Sequence, residues 1–276
     1  MKRKKTLLHI LAHVVLIFGS FIMLFPFIWM IATSLKDLSE VFTYPPRFFG
    51  ERFKFENYLT MTDRFPFFRF FLNTLKVTTI VTIVQLVTSS MAGYVFARLR
   101  FPMRDGLFGV YLATLMIPPQ VTMIPNFLLM KYYGLIDTHA ALILPALVSA
   151  FGTFLLRQFF STIPPALEEA AKIDGCTPFG IYWRIFVPLS KPAMATLGIF
   201  VLMGTWNDFI NPLIYLNSMN KMTLTLGLAN MQGLYSTDWP ALMAATTLSI
   251  LPIIMAFLLA QDLFVKGVTL SGLKGE

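Results

Sequence analysis

Few residues in this chain have chemistry to offer. Glu168, Glu169, Lys172 and Asp174 crowd into one short, acidic, half-apolar stretch, Glu168-Glu169-Ala170-Ala171-Lys172-Ile173-Asp174-Gly175. Pro164-Pro165 precedes it; proline suits a first helical turn, and carboxylates just inside that turn meet the positive end of the helix dipole. Gly175 supplies the left-handed residue on which helices commonly end. Thr177-Pro178 then reads as a fresh cap and first-turn proline, opening a second helix that ends before Pro188. Helix, bend and helix form a shape suited to fitting a socket on another protein.

The other chemical signatures are sparse. No Gly-x4-Gly-Lys-Ser/Thr phosphate loop occurs, and Gly267 to Lys274 has the wrong spacing, so the chain shows no ATP site or cofactor site of its own. Neither a Gly-x-Ser-x-Gly elbow nor a His-Glu-x-x-His pair is present, so no catalytic residue is assigned. His9 and His13 lie one helical turn apart, but a zinc site wants three or four ligands, so no metal site is assigned either. Asp208, in Trp206-Asn207-Asp208 with Asn211-Pro212 beyond, falls inside an apolar run. An acid there is costly: it marks a function or a buried partner, or it caps backbone broken before Pro212. The sequence leaves both open.

These residues sit in a chain of 276 residues that is 56% hydrophobic and 13% charged, with mean hydropathy +0.69. Soluble domains carry roughly a quarter charged residues, so a multi-spanning membrane protein is expected. The net charge of +8 then reflects basic loops on the cytosolic side rather than nucleic-acid binding. Cys176 is the single cysteine and cannot form an intrachain disulfide. Lys2 to Lys5 ahead of a long apolar run imitate a secretory signal, but the run is too long and lacks a small-x-small cleavage site, so a retained first span is expected.

About 20 mostly apolar residues cross the hydrocarbon core. Six stretches qualify: 7–33, 71–97, 106–130, 140–160, 192–216 and 241–265. Arg98, Arg100 and Arg104, then Arg157, Lys172, Arg184 and Lys191, then Lys266 and Lys274 fall on the side of the N-terminus. The short loops therefore place both termini and the acidic stretch in the cytosol. The chain divides into a tail, first span and outer loop (1–70), a core of five spans (71–265) with the acidic loop at about 164–188, and a cytosolic tail (266–276). The outer loop is too long for a mere connection, and its Phe65-Pro66-Phe67-Phe68-Arg69-Phe70-Phe71 reads as a headgroup belt, a contact surface for an outer partner, or both.

Several spans carry interruptions or polar faces. Thr78, Thr82, Gln85, Ser89 and Gly93 share one face of the second span, where small and polar residues pack helices more often than they touch a solute; Gln85 is the candidate to line a pathway. Pro118-Pro119 with Gln120, then Pro125-Asn126, prevent a continuous third helix. In a bilayer the freed carbonyls must meet protein or water, so Gln120 and Asn126 join Trp206, Asn207 and Asp208 as pathway candidates.

Glu169-Ala170-Ala171-(x3)-Gly175-(x9)-Ile185-x-Val187-Pro188 resembles the EAA loop of bacterial ABC importer permeases, with Val where Leu usually precedes the final proline. Ser34-Leu-Lys36, Phe96-Ala-Arg-Leu-Arg-Phe-Pro102, Met116-Ile-Pro-Pro-Gln120, Trp206-Asn-Asp208 and the Phe264-Val-Lys-Gly267 to Lys274-Gly275 tail are similar to the carbohydrate, maltose-transporter-type branch, specifically its six-span partner. The resemblance implies an all-α type I permease bundle with a cytosolic coupling helix, in the bacterial inner membrane. It implies as partners a second homologous permease, a pair of ATPase subunits holding ATP and magnesium, an outer sugar-binding protein and membrane lipid. Glu168, Glu169, Ala170, Ala171, Asp174 and Gly175 would couple to the ATPases, and Lys266, Gly267, Lys274 and Gly275 would contact them through the tail. An ion-coupled transporter using Asp208 is the alternative.

Overall fold

The computed structural model describes residues 2–233 and 237–272, and every regular element among them is helical. In chain order these are α1 (Lys2–Ser34), α2 (Asn57–Arg64), α3 (Phe67–Arg98), α4 (Arg104–Ala113), α5 (Pro119–Tyr132) and α6 (Ala140–Ile143). They continue with α7 (Ala150–Phe160), α8 (Pro165–Ile173), α9 (Pro178–Leu189), α10 (Lys191–Trp206), α11 (Ile210–Tyr215), α12 (Leu224–Asn230) and α13 (Trp239–Gly272). Four stretches are long and apolar enough, by length and composition, to cross a membrane: His9–Ser34, Phe67–Arg98, Ala140–Phe160 and Trp239–Asp262. Two bent pairs pass the same test only together, Arg104–Met116 with α5 at 97° and α9 with α10 at 77°, each a broken span or a re-entrant loop.

The chain forms two compact units. In the first, Met1–Phe68 with Leu228–Leu251, the segment after α1 is folded back by side chains. Asn57 Nδ2 donates to the carbonyls of Ser34 and Lys36 at 2.8 and 2.9 Å, and the Ser34 and Tyr58 hydroxyls share a 2.8 Å bond. Lys36 is buried, with Nζ 2.6 Å from the Arg47 carbonyl and over the Trp29 ring. Loss of water pushes its ammonium pKa down.

The second unit, Arg69–Gly227 with Pro252–Glu276, holds the long α3 at its centre. Its core is built from Val81, Tyr94, Leu156, Phe160, Tyr182 and Phe186, among others. Helices α3 and α7 approach closely because small residues face each other. A Cβ on Gly93 would come within 2.9 Å of the Arg157 amide nitrogen, and one on Gly152 within 2.6 Å of Ser89 Oγ. Small residues that let backbones touch are how helices associate in lipid.

The breaks depart from the sequence expectation in four places. The third span does break at Pro118, but Pro125 sits inside α5 without ending it; an interior proline removes one hydrogen bond and can kink a helix without breaking it. The stretch 140–160 is interrupted: α6 passes into a tight turn at Leu144–Ala146, and α7 restarts at Ser149, whose hydroxyl accepts from the Gly152 amide at 3.0 Å. Pro145 is the local cause. Helix α9 runs past Pro188 to Leu189 through a π-helical turn at Tyr182–Phe186, a widening that accommodates the absent proline N–H. The expected span 192–216 ends at Trp206, and Asn207 to Phe209 separate α10 from α11.

Candidate functional site

The acidic stretch folds as a knuckle of two short helices. Helix α8 begins at Pro165 in its first turn and ends on Gly175, whose φ of +76° is the left-handed conformation. The Cys176 amide returns to the Ala171 carbonyl at 2.9 Å and the Gly175 amide to Lys172 at 3.0 Å, satisfying carbonyls the helix end leaves open. Thr177 then caps α9, its hydroxyl accepting from the Gly180 amide at 3.2 Å.

Helix α8 divides the sequence candidates between two faces. Glu168 and Ala171 are buried, with Glu168 paired to Lys172 Nζ at 2.7 Å, one turn on. Glu169, Ala170, Asp174 and Gly175 are exposed. Around them stand the exposed apolar side chains Leu167, Ile173, Phe179 and Trp183. An apolar patch rimmed by carboxylates is the composition of a protein-docking surface.

What roots the knuckle is the end of α3. Arg98 Nη2 donates to the Phe160 carbonyl at 2.6 Å and to the Ile163 carbonyl, while its guanidinium lies 5.0 Å from the centre of the Phe186 ring. Tyr94 donates its hydroxyl to the Pro178 carbonyl at 3.1 Å, and the Ser90 and Tyr182 hydroxyls share a 2.7 Å bond. Tyr94, Phe160 and Phe186 pack edge to face, at 4.9 Å between Tyr94 and Phe186. Three successive turns of α3 therefore grip α9, the end of α7 and Ile163, which leads into α8. Sequence reasoning treated Arg98 as a topology signal only, although its place one turn past Tyr94 could have suggested a shared face.

The pathway candidates scatter. Gln85 Nε2 donates to the Ala146 carbonyl at 2.7 Å, and Thr88 to Leu147 at 2.7 Å, so both side chains satisfy carbonyls freed by the break at Pro145. Trp206 is buried edge-on to Phe71 at 5.7 Å, and Asn207 folds back onto the Met203 carbonyl at 2.9 Å. Gln120 is exposed and Asn126 half-buried on α5. Asp208 alone of the six lines a cavity of about 430 Å³, walled by α3, α6, α10, α11 and the Thr223 segment. It also caps α11: Oδ1 accepts from the Asn211 amide at 3.2 Å and Oδ2 from Asn211 Nδ2 at 2.8 Å. Lys274 and Gly275 lie outside the described residues, and of Lys266 and Gly267 only the helical backbone is described.

A residue the sequence did not single out organises the loop between α5 and α6. Asp137 accepts from the Asn217 and Ser218 amides, both at 2.9 Å, from the Ser218 hydroxyl at 2.6 Å and from Lys221 Nζ at 3.0 Å. These donors, the Ser218 hydroxyl first, hold its carboxyl far below the usual carboxylate range. Asn73 of α3 adds bonds to the Asn220 and Met222 carbonyls at 3.0 and 2.9 Å. Among the described residues, no group of three or more His, Cys, Asp or Glu side chains is placed to hold a metal ion.

A helical bundle with a rooted knuckle and bent spans has known counterparts. The model of the family described as "binding-protein-dependent transport system inner membrane component" matches residues 85–270. The chain belongs to that family. The permease is 33% identical over 279 residues to the arabinooligosaccharides transport system permease protein AraQ of Halalkalibacterium halodurans, covering 100% of both chains. It is 34% identical to the lactose transport system permease protein LacG of Rhizobium radiobacter, covering 96% of each. Its fold matches, with TM-score 0.84, 23% identity and coverage of 95% of this chain and 98% of the other, a crystal structure of a bacterial ABC transporter involved in the import of the acidic polysaccharide alginate. It is thus a multi-pass inner membrane permease with the type I ABC importer fold.

Proposed function

We propose that this permease is one half of the membrane pathway of an ATP-driven, binding-protein-dependent sugar importer. The knuckle of α8 and α9 takes up the motion of separate ATPase subunits. The observation that supports this reading most strongly is the pairing of exposed apolar and acidic side chains with a root: Leu167, Ile173, Phe179 and Trp183 stand clear, while Tyr94 ties α9, and Arg98 the end of α7, to α3. A force applied to that face is delivered to α3 without passing through a flexible loop. With both termini and the knuckle in the cytosol, closure of an ATPase pair would swing the spans as rigid bodies and open the pathway outward. A second homologous permease supplies the other wall, and an outer sugar-binding protein delivers the solute. The named relatives carry arabinooligosaccharides and lactose, so an oligosaccharide is the proposed cargo.

The rival, an ion-coupled route through Asp208, has less support. Asn211 engages both carboxylate oxygens, so the carboxylate already serves as the cap of α11.

The test is Glu169→Ala and Gly175→Leu in the chain co-expressed with its ATPase. Both variants should insert normally, yet ATPase recovered with the complex should fall about tenfold or more, the loss expected when a buried interface contact is removed. Normal recovery and normal uptake in both variants would sink the proposal, as would uptake that survives ATP depletion but not collapse of the ion gradient.

A further inference from the structure

The cavity beside Asp208 has a composition that packing alone does not explain. It lies within one compact unit, between the first turns of α3 and the α10–α11 break, and its volume of about 430 Å³ falls within the range of small-molecule sites, about 300–1,000 Å³. Asp208, Asn211 and Thr205 line it. Asn211 is exposed and holds the Asp208 carboxylate by two hydrogen bonds, so the pair is fixed in place before any ligand arrives. A carboxylate accepts at about four sites, so Asp208 keeps acceptor capacity facing the cavity. In the wall, the Thr78 and Thr223 hydroxyls are buried without a hydrogen-bond partner. For Thr78, inside α3, a rotation about the Cα–Cβ bond between the two rotamers open to a helical threonine would exchange methyl for hydroxyl at the cavity surface.

We propose that this cavity is a binding site of the permease's own for a neutral polyhydroxylated ring, one sugar residue of the oligosaccharide in transit. The inference builds on the importer reading and adds that this chain, and not only its partner, holds the cargo. The donor set selects the ligand. A carboxylate with an adjacent amide offers acceptors and a donor at the spacing of neighbouring hydroxyls. Among the described residues lining the cavity there is no Lys or Arg to neutralise an anion. A cation would need several oxygens converging on one point, whereas Asp208 is the single acid in the wall. An apolar ligand would leave the threonine hydroxyls unpaired.

Saturation-transfer NMR tests this on the full chain, purified in lipid nanodiscs with the permease and ATPase subunits that accompany it. Lactose and arabinobiose serve as neutral probes and sn-glycerol 3-phosphate as the anionic control. Asn211→Ala keeps the backbone amide that Asp208 caps but removes the side-chain amide. Gly204→Leu fills the cavity, and a Cβ at Gly204 meets nothing within 4 Å, so the fold accommodates it; should that variant still fail to assemble, Asn211→Ala decides alone. Expected are ring-proton signals from at least one neutral sugar and none from the anion. Asn211→Ala should weaken the apparent Kd about tenfold, the loss of one to two hydrogen bonds, and Gly204→Leu should abolish the signal. A cavity filled by water alone gives no transfer from either sugar, and that result overturns the site. Signals undiminished in both variants, or equally strong from the anion, overturn it too. ATP-driven uptake in the same preparation separates the two readings. Uptake intact with no transfer removes the cavity and leaves the importer; transfer without ATP-driven uptake removes the importer and leaves the cavity.

Discussion

The two ends of α3 are built on opposite principles. From Thr78 to Tyr94 is about 24 Å at 1.5 Å per residue. At the Tyr94 end three polar side chains reach across to named carbonyls or hydroxyls amid close-packed rings: Ser90 to Tyr182, Tyr94 to Pro178, and Arg98 Nη2 to Phe160 and Ile163, although Arg98 Nε and the Ser89 hydroxyl are buried without partners. At the Thr78 end a cavity opens, a hydroxyl is left without a partner, and a carboxylate is presented with its amide. The difference teaches how one helix can serve two tasks. Where motion is handed over, slack would waste it, so hydrogen bonds and packed rings link α3 directly to α9 and the end of α7. Where a ligand has to come and go, satisfaction within the protein would exclude it, so polar groups are held in reserve.

The sharpest way to break the contrast is Arg98→Met. It strips the Arg98 donor from two carbonyls at once; Phe160 keeps the Ile163 amide at 3.2 Å, so Ile163 is the one left unpaired, at about 1–3 kcal/mol. Thermal unfolding in detergent should show a loss of about 1–3 kcal/mol by the same arithmetic, with amide exchange accelerated across α8 and α9 but not around Asp137. Stability unchanged by this variant would mean that α3 does not root the knuckle.

A paired measurement sharpens the same point more gently. Tyr94→Phe removes one donor from the Pro178 carbonyl, which keeps the Tyr182 amide, and should cost about 0.5–1.5 kcal/mol. Thr78→Val removes a hydroxyl that bonds nothing and should change stability by less than about 0.5 kcal/mol, in either direction. Equal losses from the two would erase the distinction between the ends.

The smallest effect concerns the Asp137 clamp, which lies in the loops near the cavity end of α3. Its carboxyl pKa is depressed in the folded chain, so its contribution is present above the unfolded value, about 3.9. That contribution is lost only as pH falls through the much lower folded value. Amide protection at Asn217 and Ser218, corrected for intrinsic exchange, should therefore be the same at pH 4 and pH 7, and lower at both in Asp137→Asn. Protection that fades on approaching pH 4 in the native chain would contradict the clamp.

Much of the local structure was legible because it rests on near neighbours. Pro165, Gly175, Thr177 and Pro178 each act within a turn of themselves, so the helix, bend and helix could be read directly, as could the break at Pro118. The interruption at Pro145 was missed though its proline stood in plain view, because an apolar run of the right length masks a single absent donor. Gln85 illustrates the other limit. Its type and face made it a pathway candidate, but the Ala146 carbonyl it satisfies lies 61 residues away in sequence.

By itself the sequence determined that this is a membrane bundle with an acidic, helix-bend-helix projection, since apolar length, proline and glycine positions and charge placement are local quantities that follow from chain chemistry alone. Only the tertiary structure decided which carboxylate of the pair Glu168 and Glu169 faces inward, that Arg98 holds the knuckle, that Asp137 pins two loops together, and that Asp208 alone among six candidates meets a cavity. Each depends on which carbonyl or ring a distant segment brings within about 3–5 Å, and no spacing along the chain encodes that distance.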